Sequence, residues 1–145
     1  MVETIVIARP AEEVFAYAVD FSRFPDWQNN VTAVRPEGDG PPGLGSRAVV
    51  ARRVGPRTLS RQEEIVEFDR PRGWTVRGGG GPLTATATGS VEPLDEGQRS
   101  RVSLTLDFEG RGIWKLLIPL VVRRQARAQL PENARRLKEV LERPR

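Results

Sequence analysis

The chain predicts an α+β fold in which one strongly curved, seven-stranded antiparallel sheet wraps its apolar face around a long C-terminal helix. Three observations predict it. From residue 46 to residue 109, short alternating segments follow one another with turn signals and no helical stretch between them. That excludes a parallel sheet, whose neighbouring strands need crossover helices. Only residues 113 to about 142 hold helical composition over a long run. The length, 145 residues, suits one core and not two, so residues 1–145 are expected to form a single domain.

The elements follow in order. Val2 to Ala8 (VETIVIA) is β-branched and weakly alternating, a first strand. Pro10 then sits where a helix start tolerates it. Glu12 and Glu13 complement the dipole of the first turn, and Val14, Phe15, Ala18 and Val19 form an apolar face. In DFSRFPDWQ, Phe21, Phe24 and Trp27 recur at every third residue, which marks a second short helix. Asn29 to Arg35 reads as the second strand, with Val31 and Ala33 on one side and Arg35 in the same phase. EGDGPPGLGS is a loop. Strands follow at 46–54, 57–68, 72–79, 83–92 and 98–109. Gly55-Pro56, Asp69-Arg70-Pro71, Gly78 to Pro82 and Asp95-Glu96-Gly97 mark the turns of an antiparallel meander.

The last strand alternates most clearly, with Val102, Leu104, Leu106 and Phe108 on one face and Ser103, Thr105, Asp107 and Glu109 on the other. Gly110 and Gly112 end the sheet. On the terminal helix, Leu116, Leu120, Arg123, Arg127, Leu130, Ala134, Leu137 and Leu141 fall on one stripe at spacings of four and three. Pro119 and Pro131 predict a kink or a split in this helix. The two short helices are expected to plug the gap between the first two strands. A sheet gripping one helix rarely fills its own concavity, so a ligand cavity is expected there.

Composition removes several chemistries. The chain has no Cys and no His, which excludes disulfides, thiolate zinc sites, Ser/His/Asp triads and Cys/His nucleophiles within it. No acidic cluster has metal-ligand spacing, and Glu63 and Glu64 face opposite sides of a strand, so neither a metal nor a cofactor is expected. Gly78 to Gly81 lacks the GK[ST] ending of a phosphate loop and reads as a hairpin. The apolar run Ile113 to Val122 contains Lys115 and Pro119 and falls far short of the roughly 20 residues that cross a bilayer. MVETIVIARPAEEV does not read as a secretory signal, and a cytoplasmic address is the default expectation.

The formal net charge of +4 conceals a division. Residues 1–110 carry 13 basic and 16 acidic side chains, whereas residues 111–145 carry 10 and 3. The basic end suits an anionic partner such as RNA or a membrane surface. The plainer reading is a solvated, arginine-rich helix face. It takes precedence because Arg123, Arg124, Arg127, Arg135 and Arg136 share no stripe and no aromatic residue interleaves them, so no specific nucleic acid is expected.

The opening IVIARPAEEVFAYAVDFSRFPDWQ, the middle EIVEFDRPRGWTV and the close LLIPLVVRRQARAQLPENARRLKEVLE resemble, in their order, the polyketide cyclase/dehydrase and lipid-transport family of the START-like (SRPBCC) superfamily. The resemblance runs from Val2 to Glu142. Its most specific piece is a strand, then Ala-x-Pro, then Glu and Val on a helix, then Asp20 and Pro25-Asp26-Trp27. It implies the helix-grip (START-like) fold with a hydrophobic cavity between sheet and long helix. It implies no single chemistry, because the family holds aromatases, cyclases and lipid or hormone carriers without a shared catalytic set.

Candidate ligand-binding residues follow from the faces. Trp27 is either a cavity wall or a core anchor for the short helices, and Trp74 shares the phase of Val76 and points into the grip. Leu104, Leu106 and Phe108 come from the last strand, and Leu116 and Leu120 from the helix. Trp114 either gates the cavity or packs under a loop. Leu59, Arg61, Glu63 and Ile65 share one face; with Ile65 inward, Arg61 and Glu63 enter the cavity, where a charged pair must be mutually bonded or solvated. The opposite phase would put Gln62, Glu64 and Val66 inside. Arg123 and Arg127 interrupt the apolar stripe and either meet an anionic ligand group or snorkel to water.

Three functions are weighed on this basis. The leading one is binding of a hydrophobic small molecule: a lipid, a polyketide-like aromatic or an isoprenoid. The second is a cyclase or dehydratase using Arg61, Glu63 or Arg123 to polarise a carbonyl. The third is a macromolecular-interaction module built on the basic helix. The run Leu116 to Val122 is either a homodimer contact or internal.

Overall fold

Seven strands, three helices and two short 3-10 turns, Phe21–Arg23 and Asp95–Gly97, make up the described residues. A computed structural model describes residues 1–54, 56–79, 83–112 and 114–144, the last stretch with side chains from 123 onward. Strand β1 (Val2–Ile7) leads into helix α1 (Ala11–Ala18), then a 3-10 turn at Phe21–Arg23 and the one-turn helix α2 (Phe24–Trp27). Strands β2 (Val31–Glu37), β3 (Arg47–Val54), β4 (Arg57–Asp69), β5 (Gly73–Gly79), β6 (Leu83–Leu94) and β7 (Arg99–Gly110) precede helix α3 (Trp114–Glu142).

The sheet order is β1-β7-β6-β5-β4-β3-β2, with every neighbouring pair antiparallel. Consecutive strands from β2 to β7 therefore pair as a meander, and β1 returns to lie beside β7. The first two strands end at opposite edges, so α1 and α2 bridge the open side. Asp20 shapes that bridge: its carboxylate accepts from the backbone N–H of Ser22 (3.0 Å) and from the Ser22 hydroxyl (2.6 Å). Pro25 stands in the first turn of α2, where its missing N–H leaves no bond unmade.

The predicted faces of these helices are buried. Val14, Phe15, Ala18, Val19, Phe21, Phe24 and Trp27 all belong to the core. Phe15 stands edge-on to Phe68 and to Trp74, with ring centroids 5.2 and 5.7 Å apart.

Three details differ from the sequence reading. A register shift between Val31 and Ala33 breaks the alternation of β2. Val34 packs against the core while Ala33 and Arg35 are exposed, because a bulge inverts the phase of the residues after it. Helix α3 is one helix across Pro131 and not two, since Leu130 and Ala134 on either side of the proline are buried against the sheet. Among the described residues of α3 the buried ones are Ala126, Leu130, Ala134 and Leu137, so Ala126 replaces Arg123 and Arg127, both exposed. The kink at Pro119, Gly55 of the first hairpin turn and Gly80 to Pro82 of the other lie outside the described residues. Among the described residues no helix is long and apolar enough to cross a membrane.

The β1 edge of the sheet and the α2 plug hold the C-terminal half of α3. On the β1 side, Glu142 accepts from the backbone N–H of Ala8 (2.8 Å) and from Lys138 (2.7 Å), and Lys138 also donates to the carbonyl of Val6 (2.8 Å). On the α2 side, Arg136 donates to the Asn29 side chain (2.6 Å) and the Asp26 carbonyl (3.0 Å).

Two predictions follow from this packing. Gly89 of β6 lies opposite Trp74, and a Cβ there would stand 2.1 Å from the indole Cζ2. Gly89→Ala is expected to lower the unfolding free energy by about 1–3 kcal/mol, while Gly40→Ala, which meets nothing within 4 Å, stays within about 0.5 kcal/mol; urea denaturation reads both. Burial pushes the Glu142 carboxyl up, but the Lys138 and Ala8 hydrogen bonds outweigh it and hold the group below its ordinary range. A depressed carboxyl contributes stability above its unfolded pKa and loses it as pH falls through the folded value. Glu142→Gln should therefore lower the melting temperature at neutral pH, and the two proteins should converge below about pH 4.

Candidate functional site

Curvature leaves a cavity of about 180 Å³ between the concave face of the sheet, α2 and α3. Its walls are mostly apolar. Trp27, Val50, Trp74, Val76, Leu104 and Leu130 form the buried part, and Leu106, Phe108 and Leu59 line it toward solvent. Leu59, 38% exposed, stands at the rim.

One wall is polar, and alternation explains why. On β3, Ala48 and Val50 are buried on the inner face. Arg52 and Val54 follow in the same phase. On β4, Ile65 is buried inward, and Glu63, Arg61 and Leu59 share its phase. The register pairs Ala48 with Glu63, Val50 with Arg61 and Arg52 with Leu59, so both strands turn charged side chains into the concavity.

Arg52 runs along this face to Glu63 and binds it through both arms of the carboxylate, Nε to Oε2 at 2.7 Å and Nη2 to Oε1 at 2.9 Å. Its Nη1 donates to Gln28 Oε1 (2.8 Å) and to Asn30 Oδ1 (3.3 Å). The guanidinium thus spends four hydrogen bonds on the protein and fixes a positive charge beside a carboxylate only 7% exposed. Gly78 makes room for that carboxylate: it is the register partner of Glu63, and a Cβ there would approach Glu63 Cγ to 3.0 Å.

Arg61 and Glu63 both line the cavity, but they do not pair with each other. Residues two apart on a strand lie roughly 7 Å apart along it, and Arg61 instead donates through Nη2 to the carbonyl of Leu83 (2.7 Å). The opposite phase faces away: Gln62 donates to Glu37, and Glu64 accepts from Arg47.

Trp27 and Trp74 line the cavity and are also core residues, so wall and anchor are one role. The Trp27 indole N–H is buried without an acceptor among the described residues. Leu104, Leu106 and Phe108 line the cavity. Leu116 and Leu120, the gate at Trp114 and the dimer contact at Leu116 to Val122 lie outside the described residues. Arg123 is exposed and is not among the described lining residues.

Sequence reasoning missed Gln28, Asn30 and Arg52, together with Gln125, Gln129 and Asn133 from α3. Arg52 was detectable, because it continues the phase of Ala48 and Val50. Gln28 and Asn30 sit in the link between α2 and β2, where no periodicity marks them. Among the described residues no group of acidic side chains could hold a metal. The arrangement can therefore seat a compact apolar body and offer one edge of it a carboxylate acceptor and amide groups.

The profile of the family described as polyketide cyclase / dehydrase and lipid transport matches residues 1–142. No curated protein matches the chain in sequence at a significant level. Among solved structures, the Zhui aromatase/cyclase from Streptomyces sp. R1128 superposes with a TM-score of 0.83 at 15% identity, covering 99% of this chain and 93% of that one. A START superfamily protein from Mycobacterium smegmatis gives 0.75 at 16%, covering 98% and 96%. These likenesses establish the seven-stranded helix-grip fold.

The Arg52–Glu63 pair yields a test by double-mutant cycle. Arg52→Met alone leaves a buried carboxylate unpaired and should cost about 1–3 kcal/mol, less than a fully buried pair because the Arg52 side chain keeps 26% exposure. Glu63→Leu in the same background should recover most of that loss, giving a coupling of at least about 1 kcal/mol in urea denaturation.

Proposed function

Because the chain belongs to the polyketide cyclase / dehydrase and lipid transport family, we propose that residues 1–145 act as one ligand-binding domain whose cavity holds a compact hydrophobic molecule with an oxygen-bearing edge. The observation that carries this reading is the cavity itself, apolar on most sides and polar on the Gln28–Asn30–Arg52–Glu63 wall. Its volume of about 180 Å³ is close to that of the roughly 150 Å³ apolar cavities that take up benzene, and below the pockets of about 300–1,000 Å³ that hold drug-sized ligands. A single-ring aromatic of polyketide type or a short isoprenoid matches that size; a two-tailed phospholipid does not. The body would pack against Trp27, Trp74 and Leu104, and a hydroxyl or carbonyl would meet the amides and carboxylate.

A second reading, a cyclase or dehydratase, is favoured by one feature: the Glu63 carboxylate borders the cavity and is rigidly held. Such a group is placed to take a proton from a carbon beside a ligand carbonyl, while Arg52 balances its charge.

Calorimetric titration with p-cresol, a single-ring phenol of the size that the cavity takes, tests the binding reading. The wild type should bind it saturably at one per chain. Ala87→Phe, which fills the cavity from β6, should abolish binding without unfolding the protein. Absence of binding by the wild type, or equal binding by the filled variant, overturns the proposal. Native mass spectrometry of protein purified from its own host, followed by extraction, should then identify the ligand. With that molecule in hand, Glu63→Gln separates the two readings: turnover lost with binding retained supports the enzyme, and no turnover by the wild type supports the carrier.

A further inference from the structure

The charged side chains of the cavity do not balance. Among the described residues, Arg52, Arg61 and Glu63 line it. Arg52 takes both oxygens of the Glu63 carboxylate, so that pair carries no net charge. Arg61 is left as one positive charge in excess. Its guanidinium donates to the carbonyl of Leu83, and no ion pair among the described residues includes it.

The carboxylates nearest to Arg61 along the strands do not answer it. Glu64 alternates with Glu63 and accepts from Arg47 on the outer face. Asp107 and Glu109 alternate with Phe108, which lines the cavity, and so face away from it. Residues 55, 80–82, 113–122 and 145, whose side chains lie outside the described ones, include no Asp or Glu.

The backbone makes room for this arginine. Gly79 has φ +117°, and a Cβ there would stand 2.6 Å from the carbonyl oxygen of Leu83 and 3.3 Å from Arg61 Nη1. Without that Cβ, Arg61 Nη2 reaches the Leu83 carbonyl at 2.7 Å. Arg61 is half-buried, and the lining on this side, Leu59, Leu83, Ala85 and Phe108, is apolar. Ala85 pairs in register with Gly78 and with Phe108.

We propose that Arg61 is the counter-ion of a carboxylate, and that the molecule held in the cavity is a compact hydrophobic carboxylic acid, a single-ring arene or a short branched chain, bound as its monoanion. A guanidinium presents paired N–H groups along two edges; the bond from Nη2 occupies one and leaves the other to meet two carboxylate oxygens. One excess positive charge matches one negative charge. A phosphate monoester, close to −2 at neutral pH, would leave the cavity negative. A neutral ligand would leave the guanidinium without a counter-charge among apolar side chains. Arg61 and Glu63 lie roughly 7 Å apart along β4, so the carboxylate occupies the Arg61 side and any hydroxyl or carbonyl meets the polar wall beyond Glu63. This inference rests on the ligand-binding reading and narrows its ligand to one class.

Calorimetric titration with p-toluate and with p-toluamide, its neutral isostere, tests it. The wild type should prefer p-toluate by about tenfold or more, the range expected of charge-assisted hydrogen bonds. Arg61→Met, its fold checked by near-ultraviolet circular dichroism, should bring the two affinities within about threefold. Leu59→Glu, at an exposed rim position on the same face of β4, offers Arg61 a carboxylate of the protein's own and should also shrink the preference; it decides the matter if Arg61→Met does not fold. Equal affinity of the wild type for the two ligands overturns the proposal, as does an undiminished preference in the folded variants. Tighter binding of 4-methylphenyl phosphate than of p-toluate overturns the carboxylate assignment as well. Binding of p-cresol without any preference for p-toluate leaves the ligand-binding reading standing and removes only its anionic class, whereas failure of p-cresol and p-toluate alike removes both.

Discussion

One helix is too narrow to cover the sheet that it must cover. Seven hydrogen-bonded strands span six spacings of about 4.8 Å, or roughly 29 Å, whereas a helix with its side chains is about 10–12 Å across. A flat sheet would leave most of its apolar face in water. Curling the sheet brings its edges toward the helix, and α1 and α2 close the side where β1 and β2 fail to meet. What remains is a space that the residues on either side are too small to fill: Ala85 and Ala87 on β6, Ala126 on α3. The cavity is thus a consequence of covering a wide sheet with one helix, and small side chains keep it open.

Charge inside such a space must be neutralised where it stands. Glu63 could not occupy the inner face of β4 alone, because an isolated buried carboxylate costs several kcal/mol. Arg52 answers it from the adjacent strand, and Gln28 and Asn30 complete the guanidinium from the link between α2 and β2. The network therefore joins the plug of the grip to its sheet. It also leaves little freedom to Arg52, whose orientation is set by three side chains before any ligand arrives, so polar recognition at this wall needs little reorganisation.

The fold was legible because its strongest signals were periodic and unbroken. The strict alternation of β7, from Val102 to Phe108, and the spacing of Leu130, Ala134 and Leu137 on α3 survive in the structure as buried faces. Periodicity also put Arg61 and Glu63 on one face with Ile65 but left two phases open, and the burial of Ile65 turns that face toward the cavity. It did not identify the partner of Glu63, because pairing depends on side-chain reach across strands and Arg52, read along β3 alone, looks like one more solvated arginine. The phase of β2 failed for a different reason: a bulge between Val31 and Ala33 leaves no trace in composition. Gln28 and Asn30 occupy irregular backbone, where only the folded structure says what they face.

The same distinction between pattern and partner governs the two ends of the grip. At the C-terminal end of α3, Lys138, Glu142 and Arg136 bond to the β1 side and to the turn after α2, joining the helix to one edge of the sheet and to the plug. Toward the other end, Gln125 reaches the carbonyl of Arg53, and the arginines around it make no ion pair among the described residues. Opening a protein locally requires breaking the bonds that span the gap, and regions with fewer buried contacts open first. A ligand that enters past Leu59, exposed on the rim of the cavity, crosses the end remote from those bonds.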